Sequence, residues 1–188
     1  MKLMIAALLL TLGALATPAC SAPAKTLTIA APGLAASGRL QVTSSAFAAG
    51  GSIPSIYSSY DKSVSPPLAW RGLPPGTASV AVVLEDPDAA TPAPFNHWLV
   101  WNIPPAAPGL AKGSIPGGAR QGKLAYVGTV GYMGPKPPAG PAHHYHFEVF
   151  ALDRSLDLAE GSGLSDLTRA MLGHVLASGE IVATFQKP

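Results

Sequence analysis

The sequence predicts a mainly β domain, sandwich-like, with one or two helices at its C-terminal periphery. Three observations lead there. Gly and Pro each occur 20 times in 188 residues, together about a fifth of the chain. A helix interior loses about 1 kcal/mol per Gly and about 3 kcal/mol per Pro, so long helices and coiled coils are excluded. Hydrophobic residues make up 48% of the chain and charged residues 12%, which favours a packed core over disorder. The apolar runs alternate with the period of a strand.

Residues 1–24 stand apart as an export leader. Met1 and Lys2 form a short positive end, an apolar run follows from Leu3 to Ala16, and small residues lead to cleavage points after Ala19 or Ala24. The apolar run is shorter than the roughly 20 residues that cross a bilayer. Cys20 is the only cysteine. Two readings stand: an ordinary leader, or a lipoprotein leader ending before Cys20, which would then be acylated. Thr17 and Pro18 favour the ordinary leader. In either case the mature chain has no disulfide. Residues 25–188 then make one domain, periplasmic or secreted, or lipid-anchored through Cys20.

Within that domain Leu27 to Ala30 is a short apolar run, and Arg39 to Thr43 alternates as a strand. Gly50 to Pro54 and Ser63 to Pro67 are turn-rich. Ala78 to Glu85 is the clearest strand; apolar on both faces, it is expected to be central and covered. His97 to Ile103 and His144 to Leu152 are two more strands, and Leu124 to Tyr132 is a weaker one. One helix is expected, capped by Ser165, with Asp166 in its first turn. Leu167, Met171 and Val175 would form its buried stripe, and Gly179 would end it. Ile181 to Phe185 returns as the last strand.

Charge gives no polyanion-binding signal. Twelve Lys and Arg stand against ten Asp and Glu, and the basic residues are scattered, so nucleic acid is not expected as a partner. No Gly-x-Ser-x-Gly elbow, catalytic cysteine or phosphate-loop pattern is present, so no cofactor or nucleophilic chemistry is expected.

Four groups could carry a site. Asp86-Pro87-Asp88 follows the central strand, and parity keeps both carboxylates on one face if the extended path holds. They could equally cap a local Asx turn. His97 opens the next strand, and parity places it with Leu99 and Trp101. His143 and Tyr145 share a face with Phe147, Val149 and Ala151, giving a core face whose end carries an imidazole and a phenol. The Gly134-Pro135 loop before them can turn backbone amides toward an anion. The opposite parity, His144, His146 and Glu148, has metal-ligand residue types, but no fourth ligand is evident and a solvated face is expected.

The runs SPPLAWRGLPPGTASVAVVLEDPDA, FNHWLVWNIP and GYMGPKPPAGPAHHYHFEVFALD resemble the phosphatidylethanolamine-binding protein (PEBP) family. The likeness is strongest to its bacterial, Raf kinase inhibitor-like branch, and LTRAMLGHVLASGEIVATF resembles that branch's C-terminal helix and strand. The resemblance implies a β-sandwich-like fold with a small anion pocket formed by Asp86, Asp88, His97, Gly134, Pro135, His143 and Tyr145. It implies a phosphate- or carboxylate-type ligand, a phospholipid headgroup included, and no catalysis. The sequence departs from the family pattern at Ala90, where Pro is usual, at His144 for Arg, at Lys136, where bacterial relatives often carry Cys, and near Ser63. The first reading is therefore a ligand-binding protein. The second is an inhibitor of an envelope enzyme, and the third an acid/base enzyme on a small metabolite.

Overall fold

The computed structural model describes residues 25–188, so the leader and Cys20 lie outside the described residues. After Lys25 the apolar run closes into a 3-10 turn, Thr28–Ala30. The segment read as one strand forms two, β1 (Gly38–Arg39) and β2 (Gln41–Thr43). Each joins a different sheet, so the chain crosses between layers at Leu40. Beyond them come β3 (Leu68–Arg71), β4 (Ser79–Asp86), β5 (Phe95–Ile103), β6 (Gly109–Leu110) and β7 (Arg120–Gln121). The C-terminal part adds β8 (His143–Leu152), α1 (Leu164–Met171) and β9 (Val175–Phe185).

The large sheet has the order β1-β9-β8-β4-β5-β7, and the small one β2-β3-β6. As expected, β4 is central, and all eight of its residues are buried. Alternation then assigns its two faces. Val80, Val82 and Leu84 look inward with Trp98, Phe147 and Val149, and pack on Val42, Leu68 and Trp70 of the small sheet. Ala81 and Val83 look outward with Leu99 and Phe150, and are covered by Leu34, Leu167 and Met171. Each large apolar side chain so enclosed contributes about 1.5–3 kcal/mol. The weaker strand expected over Leu124 to Tyr132 does not form; that stretch holds one bridge, Lys123 to Val130, and the edge strand is β7 before it.

The helix is shorter than its sequence stripe. Gly163, not Ser165, occupies the N-cap, without a side-chain capping bond, while Asp166 does sit in the first turn. Leu167 and Met171 are buried as expected, but Gly173 takes φ +75° and turns the chain out of the helix. Val175 to Phe185 then pairs along the length of β8, with Gly179 opposite Val149. Eleven residues of ladder outweigh the helical spacing of Val175, because tertiary pairing overrides local propensity.

The outer face of β8 is not solvated at Glu148. Glu148 is fully buried, and Glu85 is its diagonal neighbour across the β4–β8 pair. The N-terminal 3-10 turn lies over both. Thr28 N donates to Glu85 at 2.6 Å and Ile29 N donates to Glu148 at 2.9 Å, while Glu148 Oε1 has no partner among the described residues. Burial raises both carboxyls above their ordinary 4.5; for Glu148 the neighbouring Glu85 and Glu180 add to the rise. For Glu85, Thr28 and His146 work against it. Two carboxyls this enclosed and this close favour a retained proton over two charges.

A raised carboxyl makes the folded state bind more protons than the unfolded chain above pH 4.5, so this pair's contribution falls as pH rises through the folded titration. Glu148→Gln keeps an acceptor for Ile29 and supplies a fixed donor toward Glu85. Its expected effect in denaturant unfolding at alkaline pH is a gain of about 1–3 kcal/mol over the wild type, shrinking as pH falls toward 5. A loss of stability at alkaline pH would contradict this picture.

Candidate functional site

The site starts where β4 ends. Asp86 faces inward like Leu84, and it is 3% exposed. One oxygen, Oδ1, accepts the backbone N–H of Asp88 at 2.8 Å and of Ala89 at 3.1 Å, which closes the turn after Pro87. The other, Oδ2, accepts His143 Nδ1 at 2.8 Å. The Asx turn is therefore formed by one oxygen, while the other is bonded to the imidazole. Asp88 faces away from this bond and holds His144 instead, accepting its backbone N–H at 2.7 Å and its Nδ1 at 2.8 Å. Burial works to raise the Asp88 carboxyl, but those two donors outweigh it and leave it below its ordinary 3.8.

His97 reaches the site through an irregularity. Simple alternation puts it with Leu99 and Trp101 on the outer face. The β4–β5 register slips by one residue between Leu84–Trp98 and Glu85–Asn96, and His97 is the extra residue of that bulge. A bulge turns two successive side chains to one side. His97 therefore joins Trp98 on the inner face, its ring edge-on to Tyr145 with centroids 5.3 Å apart. Its position is then fixed twice by Met133: Met133 N donates to the His97 carbonyl at 2.9 Å, and His97 Nδ1 donates to the Met133 carbonyl at 2.9 Å. Burial lowers the His97 imidazole below its ordinary 6.5, and His143 adds to that, while Met133 and Asp86 oppose it.

Tyr145 completes the floor. It is fully buried, and its hydroxyl finds no hydrogen-bond partner among the described residues. Burial and the adjacent Asp86 carboxylate push the phenol well above its ordinary 10. These groups open into a cavity of about 480 Å³ whose walls are mainly apolar: Ala89, Ala90, Phe95, Val127, Met133 and Pro137. Lys136 is the one lysine among the described residues that line it. Gly134 and Pro135 do not line it. The Gly134 amide is already given to Ser63 Oγ at 2.8 Å, and a Cβ there would meet the Tyr57 carbonyl at 2.2 Å. Pro135 turns its carbonyl to Ser59. The loop thus reaches the cavity through Lys136, Pro137 and Pro138, not through the amides expected to meet an anion.

A family model for phosphatidylethanolamine-binding protein matches residues 43–186. The chain belongs to the phosphatidylethanolamine-binding protein family. A UPF0098 protein of Methanothermobacter thermautotrophicus is 40% identical over 142 residues, which span 73% of this chain and 92% of that protein. The crystal structure of Escherichia coli YbcL, a PEBP family member, superposes with a TM-score of 0.75 at 30% identity, covering 80% of this chain and all of the other. A Mycobacterium tuberculosis relative, 35% identical over 148 residues, bears the lipoprotein name LppC; the match covers 78% of this chain and 72% of that one.

In this PEBP chain the segments that were far apart in sequence meet: Asp86, His97, His143 and Tyr145 share one floor, with Asp88 at its rim. His144, His146 and Glu148 do not converge, because His144 turns to Asp88, His146 to Glu180 at 2.8 Å, and Glu148 lies under Ile29. Sequence reading missed Met133, which acts through a backbone carbonyl and so leaves no side-chain signature. It also missed the wall residues Phe95 and Val127, whose apolar side chains carry no mark of a cavity wall.

The buried floor makes one statement measurable without a ligand. In an NMR pH titration the His97 ring is expected to protonate with a midpoint below 6.5. A midpoint above that value would mean that the ring is wet and the floor open.

Proposed function

We propose that this cavity binds a small oxyanionic group, of phosphate or carboxylate type, without turning it over. The observation that supports it most strongly is the Asp86–His143 bond. The carboxylate fixes the ring through Nδ1 and leaves Nε2 for the cavity, where a proton on that nitrogen is donated to an anionic oxygen. Tyr145 offers a second donor, a hydroxyl with no hydrogen-bond partner among the described residues. The apolar walls lower the local dielectric and strengthen such bonds. They also suit a ligand with an apolar arm, as in an ester or a lipid headgroup. Covalent turnover has less support, since no Ser, Thr or Cys is among the described residues that line the cavity.

A second reading, docking of an envelope enzyme on the rim, has one observation in its favour. Tyr126 and Val127 are 62% and 48% exposed beside the opening, and Tyr126 stacks on Phe95. The export leader over residues 1–24 is part of the proposal, and the lipoprotein name of one relative supports it.

Calorimetric titration with inorganic phosphate tests the binding reading. His143→Ala and Asp86→Ala are each expected to weaken binding about tenfold, the loss of one charge-assisted hydrogen bond, while thermal unfolding stays cooperative. Unchanged affinity in both folded variants would remove the site. Mass spectrometry of protein from the envelope fraction tests the leader: a mature chain starting after Ala19 or Ala24 is expected, and a diacylglyceryl mass on Cys20 would show the lipoprotein route. A chain retaining Met1 would contradict export.

A further inference from the structure

The floor of the cavity is not uniformly a set of donors, and this decides which oxyanion fits. A backbone carbonyl only accepts, so the 2.9 Å contact to Met133 requires the proton of a neutral His97 to sit on Nδ1. Nε2 then carries a lone pair, and among the described residues nothing donates to it. The burial of this ring, 4% exposed, favours the neutral form. The other titratable and charged groups around it are Asp86 from β4, Asp88 in the turn, His143 and Tyr145 from β8, and Lys136 from the facing loop. Asp86 already accepts three donors, two backbone amides on Oδ1 and His143 on Oδ2.

An oxyanion without hydrogens would set its lone pairs against the lone pair of His97. One that carries an O–H would donate it there and still accept from His143 and Tyr145. We propose that the site selects an oxyanion that keeps a proton, hydrogen phosphate or a phosphomonoester monoanion, and that His97 is the residue that reads that proton. The proposal rests on the oxyanion reading given above and narrows it. His97 acts here as an acceptor, the opposite of the role that its residue type suggests in an anion site. The distinction is a large one for a buried site, because an acceptor left facing an acceptor is penalised far more than a missing contact.

Three probes separate the possibilities: phenyl phosphate, phenyl sulfate and inorganic phosphate, titrated calorimetrically into the wild-type protein. At about pH 6 roughly half of a phosphomonoester is the monoanion, whereas the sulfate ester has the same shape and no proton. Phenyl phosphate is expected to bind about tenfold tighter than phenyl sulfate or better. Inorganic phosphate shares that advantage if the free anion suffices and loses it if the ester's apolar arm is needed. Equal affinity for the two esters would overturn the proton-reading role and leave the oxyanion site standing. Failure of all three to bind would overturn both. Nitrogen NMR of the imidazoles gives an independent readout: His97 is expected as the Nδ1–H tautomer, with its Nε2 resonance shifted by hydrogen bonding when phenyl phosphate is added. A His97 protonated on Nε2 in the free protein would overturn the proposal.

Discussion

The carboxylate of Asp86 is the joint on which the site depends. It stands at the end of the most buried strand in the molecule, and its two oxygens serve two different pieces of chain. Oδ1 gathers the amides of Asp88 and Ala89 and so fixes how the chain leaves β4. Oδ2 holds the first residue of β8, His143, at 2.8 Å. A turn and an imidazole are thereby set relative to each other by one rigid group, whose own position is fixed by the β4–β5 and β4–β8 ladders. Pro87 stiffens the exit further by fixing the backbone.

The same strand shows how alternation separates two acidic roles. Glu85 and Asp86 are adjacent, and both are nearly dry. Glu85 points outward to Glu148 and the N-terminal turn, where burial favours a retained proton. Asp86 points inward and accepts from two amides and an imidazole. Lys25 also reaches the Ala89 carbonyl, so the strap that covers the outer carboxyls touches the turn that shapes the inner site. The inner site in turn joins a polar floor to apolar walls, with Lys136 at the lining loop.

Much of this was legible in the sequence, for physical reasons that can be named. A run apolar on both faces can only be a covered central strand, and Val80 to Leu84 proved to be one. The parity of His143 and Tyr145 followed from an unbroken ladder, so their common face was readable. His97 was misplaced because one extra residue in β5 reverses its side, and bulges leave no mark in an alternating pattern. Glu148 looked solvated because its cover comes from Thr28 and Ile29, more than a hundred residues away. The helix was drawn too long because Met171 and Val175 keep helical spacing across Gly173, where the backbone turns. The gathering of the site residues came from the family resemblance, and the use of the Gly134 amide by Ser63 was visible only in three dimensions.

The inner floor is proposed to receive an oxyanion between its two imidazoles and its phenol. A crystal structure of the protein soaked with phenyl phosphate tests it most directly. The account predicts phosphate oxygens within hydrogen-bonding distance of His97 Nε2, His143 Nε2 and the Tyr145 hydroxyl, with the phenyl ring against Phe95 and Val127. A phosphate bound only at Lys136 or His144 on the rim, with the floor left to solvent, would contradict it.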